Sequence, residues 1–235
     1  MQNKKIIFKD LGTNLPYDET WKYQDSLLQE IVEIKRANAK LENENKKITP
    51  NYLLFLEHAH VYTLGKNGKI NHLLAENSLL KEIDATFYHI NRGGDITYHG
   101  PGQIVGYPII DLDNFFTDIH KYLRYLEEVV IKTLAYFNID SQRSKGETGV
   151  WLDVEKPYAR KICAMGIRAS RWVTMHGFAL NVNTDLSYFN HIVPCGIANK
   201  AVTSIENELK TKIKINLVKD KLLYYFEEVF ECSSS

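Results

Sequence analysis

The sequence predicts a mixed α/β (α+β) fold in which a central sheet is flanked by helices. Short apolar runs of strand length recur along the chain, while two longer stretches, which begin near Tyr17 and His120, repeat apolar residues at helical spacing. The chain has 235 residues, of which 44% are hydrophobic, and this is enough for one substantial core. We therefore predict a single domain over residues 1–235, with a frayed tail at 230–235.

The first part of the chain is predicted to form a strand, a long helix and a polar loop. The strand covers Lys5–Leu11, and the helix that follows from Tyr17 has one buried stripe, formed by Trp21, Leu27, Leu28, Ile31 and Ile34. Residues 35–49 are charged and rich in asparagine, which predicts a solvated helix end and a loop that Pro50 closes.

The middle of the chain is predicted to contain most of the sheet. Gly106 and Pro108 lie within one apolar run and predict an interrupted or edge strand there. The predicted elements are two strands within Asn51–Leu64, a short helix over Asn71–Glu82, strands over Phe87–Asn91 and Ile104–Leu112, and a helix over His120–Asn138.

The last part is predicted to contain a long hairpin followed by helices. A strand over Gly146–Val154 precedes a hairpin over Ala159–Asn183, whose bend lies near Ser170. Along its first arm, successive side chains point to opposite faces, so Lys161 is able to project toward a cavity. Helices are predicted over Ala201–Glu208 and Val218–Phe230.

Composition excludes several classes of protein. Lys plus Arg and Asp plus Glu number 29 each, so no global basic field favours nucleic acid. Three cysteines with no CxxC pair argue against a disulfide framework and a cysteine-rich zinc site. Because no run of about 18 apolar residues occurs, no membrane span is predicted, and we expect a reducing cytoplasmic compartment.

The densest signal for a functional site is Arg92–Gln103, which reads Arg-Gly-Gly-Asp-Ile-Thr-Tyr-His-Gly-Pro-Gly-Gln. It holds four of the thirteen glycines, and apolar runs lie on both sides of it. A tight loop between two strands would explain the Gly-Pro-Gly. Such a turn needs no Arg92, His99 and Gln103 converging within it, so the stretch predicts a ligand-binding loop.

Two histidines and one cysteine have alternative interpretations. His58 and His60 could share one face of a strand and suggest a metal, but no carboxylate or cysteine set accompanies them, so we predict none. Cys195 could be an inert small hydrophobe or a nucleophile. Pro194 stiffens its approach, and Gly196 leaves a backbone N–H open to a substrate oxygen.

Three ordered motifs carry a resemblance to a known family. They are the Arg92–Gln103 stretch, Arg160–Arg168 (Arg-Lys-Ile-Cys-Ala-Met-Gly-Ile-Arg), and His176–Asn183 (His-Gly-Phe-Ala-Leu-Asn-Val-Asn) running on to Pro194–Gly196. Together they resemble the lipoate-biosynthesis octanoyltransferases, and matching positions extend from about Leu53 to Gly196. The resemblance implies the fold of biotin/lipoate protein ligase catalytic domains.

The resemblance also implies a site. Cys195 matches the cysteine that accepts the acyl group, and Lys161 matches the lysine that accompanies it. No cofactor and no metal is implied. Cys163 departs from the small residue expected after Lys-Ile, and we interpret it as strand core. The implied substrate-binding residues are Arg92, Gly93, Gly94, Asp95, Ile96, Thr97, Tyr98, His99, Ala164, Met165, Gly166, Gly177, Phe178 and Ala179.

The implied activity is acyl transfer without ATP, the first step of endogenous protein lipoylation. An octanoyl group passes from octanoyl-acyl carrier protein to a thioester on Cys195, and then to the lysine of a lipoyl domain, as in the glycine cleavage H protein or the E2 of 2-oxoacid dehydrogenases. We hypothesise that Lys161 serves both half-reactions. An acidic carrier is expected to dock on a basic rim drawn from Arg143, Lys145, Arg168, Arg171 and Lys200.

Two alternatives remain open at this point. An ATP-dependent lipoate or biotin protein ligase would share the fold, but it would be expected to lack a required cysteine. A noncatalytic module that binds acyl groups or lipoyl domains would keep the cavity without needing both Lys161 and Cys195.

Overall fold

The computed structural model describes residues 3–193 and 201–235. These residues form twelve strands and five α-helices. The strands are β1 (Lys5–Asp10), β2 (Tyr52–Leu56), β3 (Val61–Leu64), β4 (Thr86–His89), β5 (Ile96–His99), β6 (Gln103–Ile109), β7 (Gln142–Arg143), β8 (Val150–Leu152), β9 (Arg160–Ser170), β10 (Val173–Asn181), β11 (Ala201–Val202) and β12 (Ser233–Ser234). The helices are α1 (Tyr17–Asn38), α2 (Asn77–Glu82), α3 (Ile119–Tyr136), α4 (Ile205–Leu209) and α5 (Ile215–Phe230).

The strands form one large mixed sheet and one small sheet. The large sheet has the order β12-β1-β2-β6-β10-β9-β8-β7, with β11 beside one end of β9, and the small sheet has the order β4-β3-β5. Parallel pairs such as β1–β2 occur beside antiparallel pairs such as β6–β10. The predicted fold class, a mixed central sheet flanked by helices, is confirmed.

Alternation along the strands divides the core between the two faces of the large sheet. On β2, Leu53 and Phe55 pack with α3 and α5, whereas Leu54 and Leu56 pack with α1 on the opposite face. The predicted α1 stripe is largely confirmed, because Leu27, Leu28 and Ile31 are buried. The small sheet covers the part of the α1 face that α1 leaves open.

The long hairpin has the predicted position. Its two arms, β9 and β10, are joined by Arg171 and Trp172, whose φ angles of 52° and 66° are those of a type I′ turn. Strand β8 pairs with β9 only as far as Cys163, and beyond that residue the glycine-rich loop approaches β9, where the Gly93 N–H donates to the Ile167 carbonyl.

Of the two alternatives predicted for the run with Gly106 and Pro108, the interruption is confirmed and the edge position is wrong. β6 lies between β2 and β10 in the middle of the large sheet. The regular ladder with β10 ends at Gly106, and beyond it His176 adopts a left-handed φ of 58°. Pro108, which has no N–H to donate, occupies the gap in the ladder, and its carbonyl accepts the Thr174 hydroxyl at 2.9 Å.

Three further segments differ from the predictions. The tail does not fray: Ser233 and Ser234 pair with β1, and the Ser235 N–H donates to the Ile6 carbonyl at 3.0 Å. The helix predicted over 71–82 forms only from Asn77, because Leu73 forms a bridge with Ile192 instead. The helix predicted from Ala201 begins at Ile205, after the strand β11. No helix among the described residues is long and apolar enough to cross a bilayer.

Candidate active site

A cavity of about 530 Å³ lies between the large sheet and the small sheet. Its size is that of a small-molecule site. All but one of the described residues that the sequence assigned to the site line it: Arg92, Gly93, Gly94, Asp95, Ile96, Thr97, His99, Lys161, Ala164, Met165, Gly166, Gly177, Phe178 and Ala179.

The glycine-rich loop reaches the cavity because backbone approaches backbone there. The Gly93 N–H donates to the Ile167 carbonyl of β9 at 2.9 Å, and a Cβ on Gly166 would lie 2.6 Å from the Gly93 oxygen. Gly94 has a φ of 90°, which side-chain-bearing residues rarely adopt. These contacts explain why glycine is needed on both the loop and the strand.

Arg92 holds the loop to the small sheet. Its guanidinium donates to the Thr63 carbonyl at 2.7 Å, to the Thr63 hydroxyl at 2.9 Å and to the Gly93 carbonyl at 3.0 Å. The residue is only 7% exposed, so these acceptors satisfy part of a buried cation. The charge is therefore built into the wall of the cavity.

A chain of hydrogen bonds leads from the loop to β11. His99 Nδ1 lies 2.8 Å from Gln103 Oε1, and the Gln103 amide donates to Asn181 Oδ1 at 2.9 Å. Asn181 in turn donates to the Thr203 carbonyl at 2.9 Å, and the Thr203 N–H donates to the Lys161 carbonyl at 2.9 Å. Residues far apart in sequence are thus fixed around one end of the cavity.

Lys161 is half-buried at that end of the cavity. It lies on β9 between β8 and β11, opposite Trp151 on one side and Val202 on the other. Its Nζ lies 4.5 Å from the centre of the Trp151 ring, an aromatic face that favours a cation. The predicted projection of Lys161 toward a cavity is confirmed.

Two buried histidines, His99 and His176, line the cavity, and the buried His58 packs against His99 with ring centres 5.7 Å apart. Burial lowers the pKa of His58 to about 4 and that of His176 to about 3. The pKa of His99 is well below its ordinary value, chiefly because of burial, with contributions from His58 and Arg92. All three are therefore neutral at physiological pH, and the charge of Arg92 contributes to the lowered pKa of His99 and of His176.

The sequence did not single out several wall residues. Tyr17, Tyr107 and His176 line the cavity, and the Tyr17 ring stacks on His99 with ring centres 6.2 Å apart. The Tyr107 hydroxyl lies 2.7 Å from His58 Nε2. Tyr17 and Tyr107 carry no local signal beyond their aromatic character, whereas His176 opens the third motif of the family resemblance but was not assigned to the site.

Tyr98 is the exception among the predicted substrate-binding residues. It does not line the cavity, and its side chain packs in the core behind the small sheet. Its hydroxyl lies 2.8 Å from His60 Nδ1. His60 therefore bonds within the small sheet, whereas His58 faces Tyr107 and the Leu15 carbonyl.

Of Cys163 and Cys195, only Cys163 lies among the residues that the structure describes. Cys163 is fully buried in the core beneath α3, as predicted, and burial raises the pKa of its thiol well above the ordinary value. Cys195 lies outside the described residues, as does Lys200 of the predicted rim.

Of the other rim residues, two are already paired. Arg143 bonds Glu127 at 3.1 Å and Glu128 at 2.5 Å, and Arg168 lies 3.5 Å from Asp25. Lys145 and Arg171 are exposed. The charge available to an acidic partner on the described part of this rim is therefore smaller than the sequence suggested.

Comparison with known proteins gives consistent matches along the chain. A family model described as Lipoyl protein ligase A/B catalytic domain matches residues 16–227. The chain is 60% identical over 232 residues to an octanoyltransferase of Flavobacterium psychrophilum, which covers 98% of this chain and 99% of the relative. It is 61% identical to an octanoyltransferase of Christiangramia forsetii over 97% of each chain.

Solved structures agree on the fold at much lower identity. A lipoate-protein ligase A bound with ATP superposes with a TM-score of 0.67 at 15% identity, over 99% of this chain and 87% of that one. A biotin protein ligase from Aquifex aeolicus gives a TM-score of 0.50 at 12% identity, over 97% of this chain and 71% of that one.

Proposed function

Because the chain belongs to the lipoyl protein ligase A/B catalytic domain family, we propose that it is an octanoyltransferase that works through a thioester on Cys195, with Lys161 as its proton-transfer partner. Octanoyl transfer follows from the high identity to octanoyltransferases along nearly the whole chain. The thioester, the Cys195–Lys161 pair and the identity of donor and acceptor are the parts that need a test.

The observation that supports the proposal is that Lys161 lies in the cavity close to described residues that flank Cys195 in the sequence. Val202, which follows that segment, is paired with Lys161 and lines the cavity. Val193, which precedes it, donates to the His72 carbonyl at 2.8 Å, and His72 bonds the lining residue Asp95 at 2.7 Å. Val202 therefore lines the cavity that contains Lys161, and Val193 is linked to a lining residue through His72 and Asp95.

In the first half-reaction, the Cys195 thiolate attacks the thioester carbon of the donor while Lys161 is an ammonium ion. A new S–C bond forms to Cys195, and the bond to the carrier's thiol breaks. The leaving thiolate takes a proton from Lys161, so the acyl-enzyme is left beside a neutral amine.

In the second half-reaction, the amine of a lipoyl-domain lysine attacks the thioester. A free lysine, with pKa about 10.4, is neutral in only about 0.04% of molecules at pH 7, a deficit of roughly 4.6 kcal/mol. Neutral Lys161 can accept the proton of the incoming amine as the C–N bond forms. Departure of the Cys195 thiolate then restores the starting ion pair.

Donor and acceptor follow from the same chemistry. An octanoyltransferase takes its acyl group from a donor and transfers it to a lipoyl domain. We propose octanoyl-acyl carrier protein as the donor, and the lipoyl domains of the H protein and of E2 subunits as the acceptors. A thiolate nucleophile requires a reducing compartment, so we propose the cytoplasm. Docking of an acidic carrier on exposed Lys145 and Arg171 would make its KM rise with salt.

The test separates the two half-reactions. Wild type, Lys161→Met and the exposed-surface control Lys212→Met are mixed with octanoyl-acyl carrier protein without ATP, and the acyl-enzyme is then challenged with a lipoyl domain. We expect Lys161→Met to be slowed in both steps and Lys212→Met in neither. Wild-type discharge in Lys161→Met would refute the second role of Lys161, and transfer that requires free octanoate and ATP would refute the proposal.

A further inference from the structure

His176 has an unusual backbone for a residue inside a strand. It lies in β10 with a φ of 58°, is only 2% exposed and lines the cavity. Its N–H donates to Gln24 Oε1 of α1 at 2.9 Å, and its Nε2 lies 3.1 Å from Asn91 Oδ1. A left-handed non-glycine residue at such a position is costly and is commonly found at functional sites.

Two polar atoms beside this strained backbone form no hydrogen bond of standard geometry, although the Gln24 side chain also interacts with the Tyr107 hydroxyl. They are His176 Nδ1 and Gln24 Nε2, and both are buried. Because the Nε2 of neutral His176 faces an amide oxygen, its Nδ1 is an acceptor, whereas Gln24 Nε2 is a donor. One small group that both accepts and donates a hydrogen bond would satisfy the two atoms.

The pair lies at the far end of the cavity from Lys161. His176 is paired with Ile167, which is six residues along β9 from Lys161, a strand length of about 20 Å. An extended eight-carbon chain is about 10 Å long. About 10 Å of the cavity length therefore remains. The Lys161 side chain and the thioester occupy part of it at one end, and the groups around His176 occupy the rest at the other end.

We propose that His176 and Gln24 hold a water molecule at the inner end of the cavity, and that this polar floor, rather than a steric wall, limits the acyl chain to about eight carbons. The inference rests on the proposed function, since it assumes that the acyl chain extends from the Lys161 end. A buried water with two or more protein partners is a normal structural component of such a site.

Displacing the water weakens binding by more than burying two further methylenes strengthens it. Each further methylene that is buried strengthens binding by about fourfold, so two would contribute about fifteenfold. Displacing the water leaves two buried polar atoms unpaired, and each such atom weakens binding by about fivefold to more than a hundredfold. A decanoyl chain therefore loses more at the floor than it gains from its extra carbons.

The test removes the donor of the floor. Gln24→Met is compared with wild type and with Gln29→Met, the same substitution at an exposed position of α1, by measuring kcat/KM for octanoyl and decanoyl donors. We expect wild type and Gln29→Met to prefer octanoyl by about tenfold, and Gln24→Met to bring the two donors within about threefold by improving decanoyl. An unchanged ratio in Gln24→Met, or no preference in wild type, would overturn the proposal.

A binding series on the wild-type protein tests the floor without mutation and without catalysis. Calorimetry with free fatty acids from six to twelve carbons should show affinity that rises by about fourfold per carbon up to eight and falls beyond eight. A continued rise to twelve carbons would refute the polar floor. Absence of octanoyl transfer with this affinity pattern intact would instead refute only the proposed function.

Discussion

The face of the large sheet that packs on α3 and α5 and the part of the opposite face beneath the small sheet are both buried, but they differ in chemistry. Against α3 and α5, hydrocarbon side chains such as Leu126, Val130 and Phe226 fill the space at 0–1% exposure. Beneath the small sheet, the buried side chains are polar: His99 is 7% exposed and Gln103 is 1% exposed, and the two are joined by a hydrogen bond. The difference shows that burial alone does not distinguish a core from a site, whereas the chemistry of what is buried does.

Strand β10 shows how one sequence supplies both faces. Leu180 points to the α3 and α5 side, Gly177, Ala179 and Asn181 point to the cavity side, and Phe178 belongs to the α3 and α5 core but also borders the cavity. The large apolar residues stabilise the fold, and the small and polar ones leave space for a ligand. We expect substitutions on the two faces to separate stability from activity.

The sharpest contrast is between the two cysteines. Cys195→Ala should lower transfer by at least about a thousandfold with little change in melting temperature, because it removes the nucleophile. Cys163→Ala should retain activity and lose only modest stability, since it deletes one buried sulfur. Transfer assays and thermal melts on both variants check this, and the opposite pattern would mean that the acyl-carrying thiol is assigned to the wrong residue.

A truncation on the apolar face should do the reverse. Leu126→Ala is expected to lower the free energy of unfolding by about 2–5 kcal/mol because it leaves a cavity among α3, α5 and the sheet. Activity per folded molecule should stay near wild type. Denaturant titration of Leu126→Ala and of the exposed control Tyr136→Ala on the same helix measures the difference in unfolding free energy. A large fall in kcat for Leu126→Ala would contradict the separation of stability and activity between the two faces.

Arg92 connects the loop to the small sheet, so its loss should be felt mainly in catalysis. Arg92→Met is expected to lower kcat/KM by roughly 10- to 100-fold, because hydrogen bonds from a charged group contribute about 1.5–3 kcal/mol each and hold the loop in place. Arg92→Lys keeps the charge and should recover only part of the loss. Wild-type kinetics in Arg92→Met would show that the loop is held without it.

The neutral histidines predict acid sensitivity of the polar face. Burial lowers the pKa of folded His58 to about 4 against about 6.5 when unfolded, so this histidine's contribution to stability is complete above pH 6.5 and is lost as the pH falls toward 4. His58→Gln should therefore reduce the slope of unfolding free energy against pH by about one proton, or 1.4 kcal/mol per pH unit, between pH 6 and 5.

The exposed His120 provides the matched control for that slope. His120→Gln should leave the pH dependence of the unfolding free energy close to wild type. Equal slopes in wild type and His58→Gln would mean that His58 takes up its proton in the folded state as readily as in the unfolded chain.

Much of the site could be predicted because glycine-rich loops and strand alternation leave clear signals. The loop from Arg92 follows from its local density of glycine and polar residues, whereas the small residues of β9 and β10 were assigned through the family resemblance. Tyr98 was misplaced because the parity of a short strand after a loop depends on its register with β3. Tyr17, although it was placed in α1, was missed as a wall residue because it meets His99 only through packing of distant segments.

The errors in the fold have a similar origin. Pro108 could be tolerated in a central strand only because His176, far away in sequence, opens a gap in the ladder opposite it. The Ser-rich tail gives no strand signal of its own, and its pairing depends on β1 presenting a free edge. Both features depend on a pairing between segments that are far apart in sequence, and such a pairing cannot be predicted from a local pattern.

The most direct test of the account is the intact mass of the protein after mixing with octanoyl-acyl carrier protein in the absence of ATP. We predict a gain of one octanoyl group that is present in Cys163→Ala, absent in Cys195→Ala and discharged by a lipoyl domain. No adduct on the wild-type protein, with transfer appearing only from free octanoate and ATP, would contradict the thioester mechanism and favour a ligase.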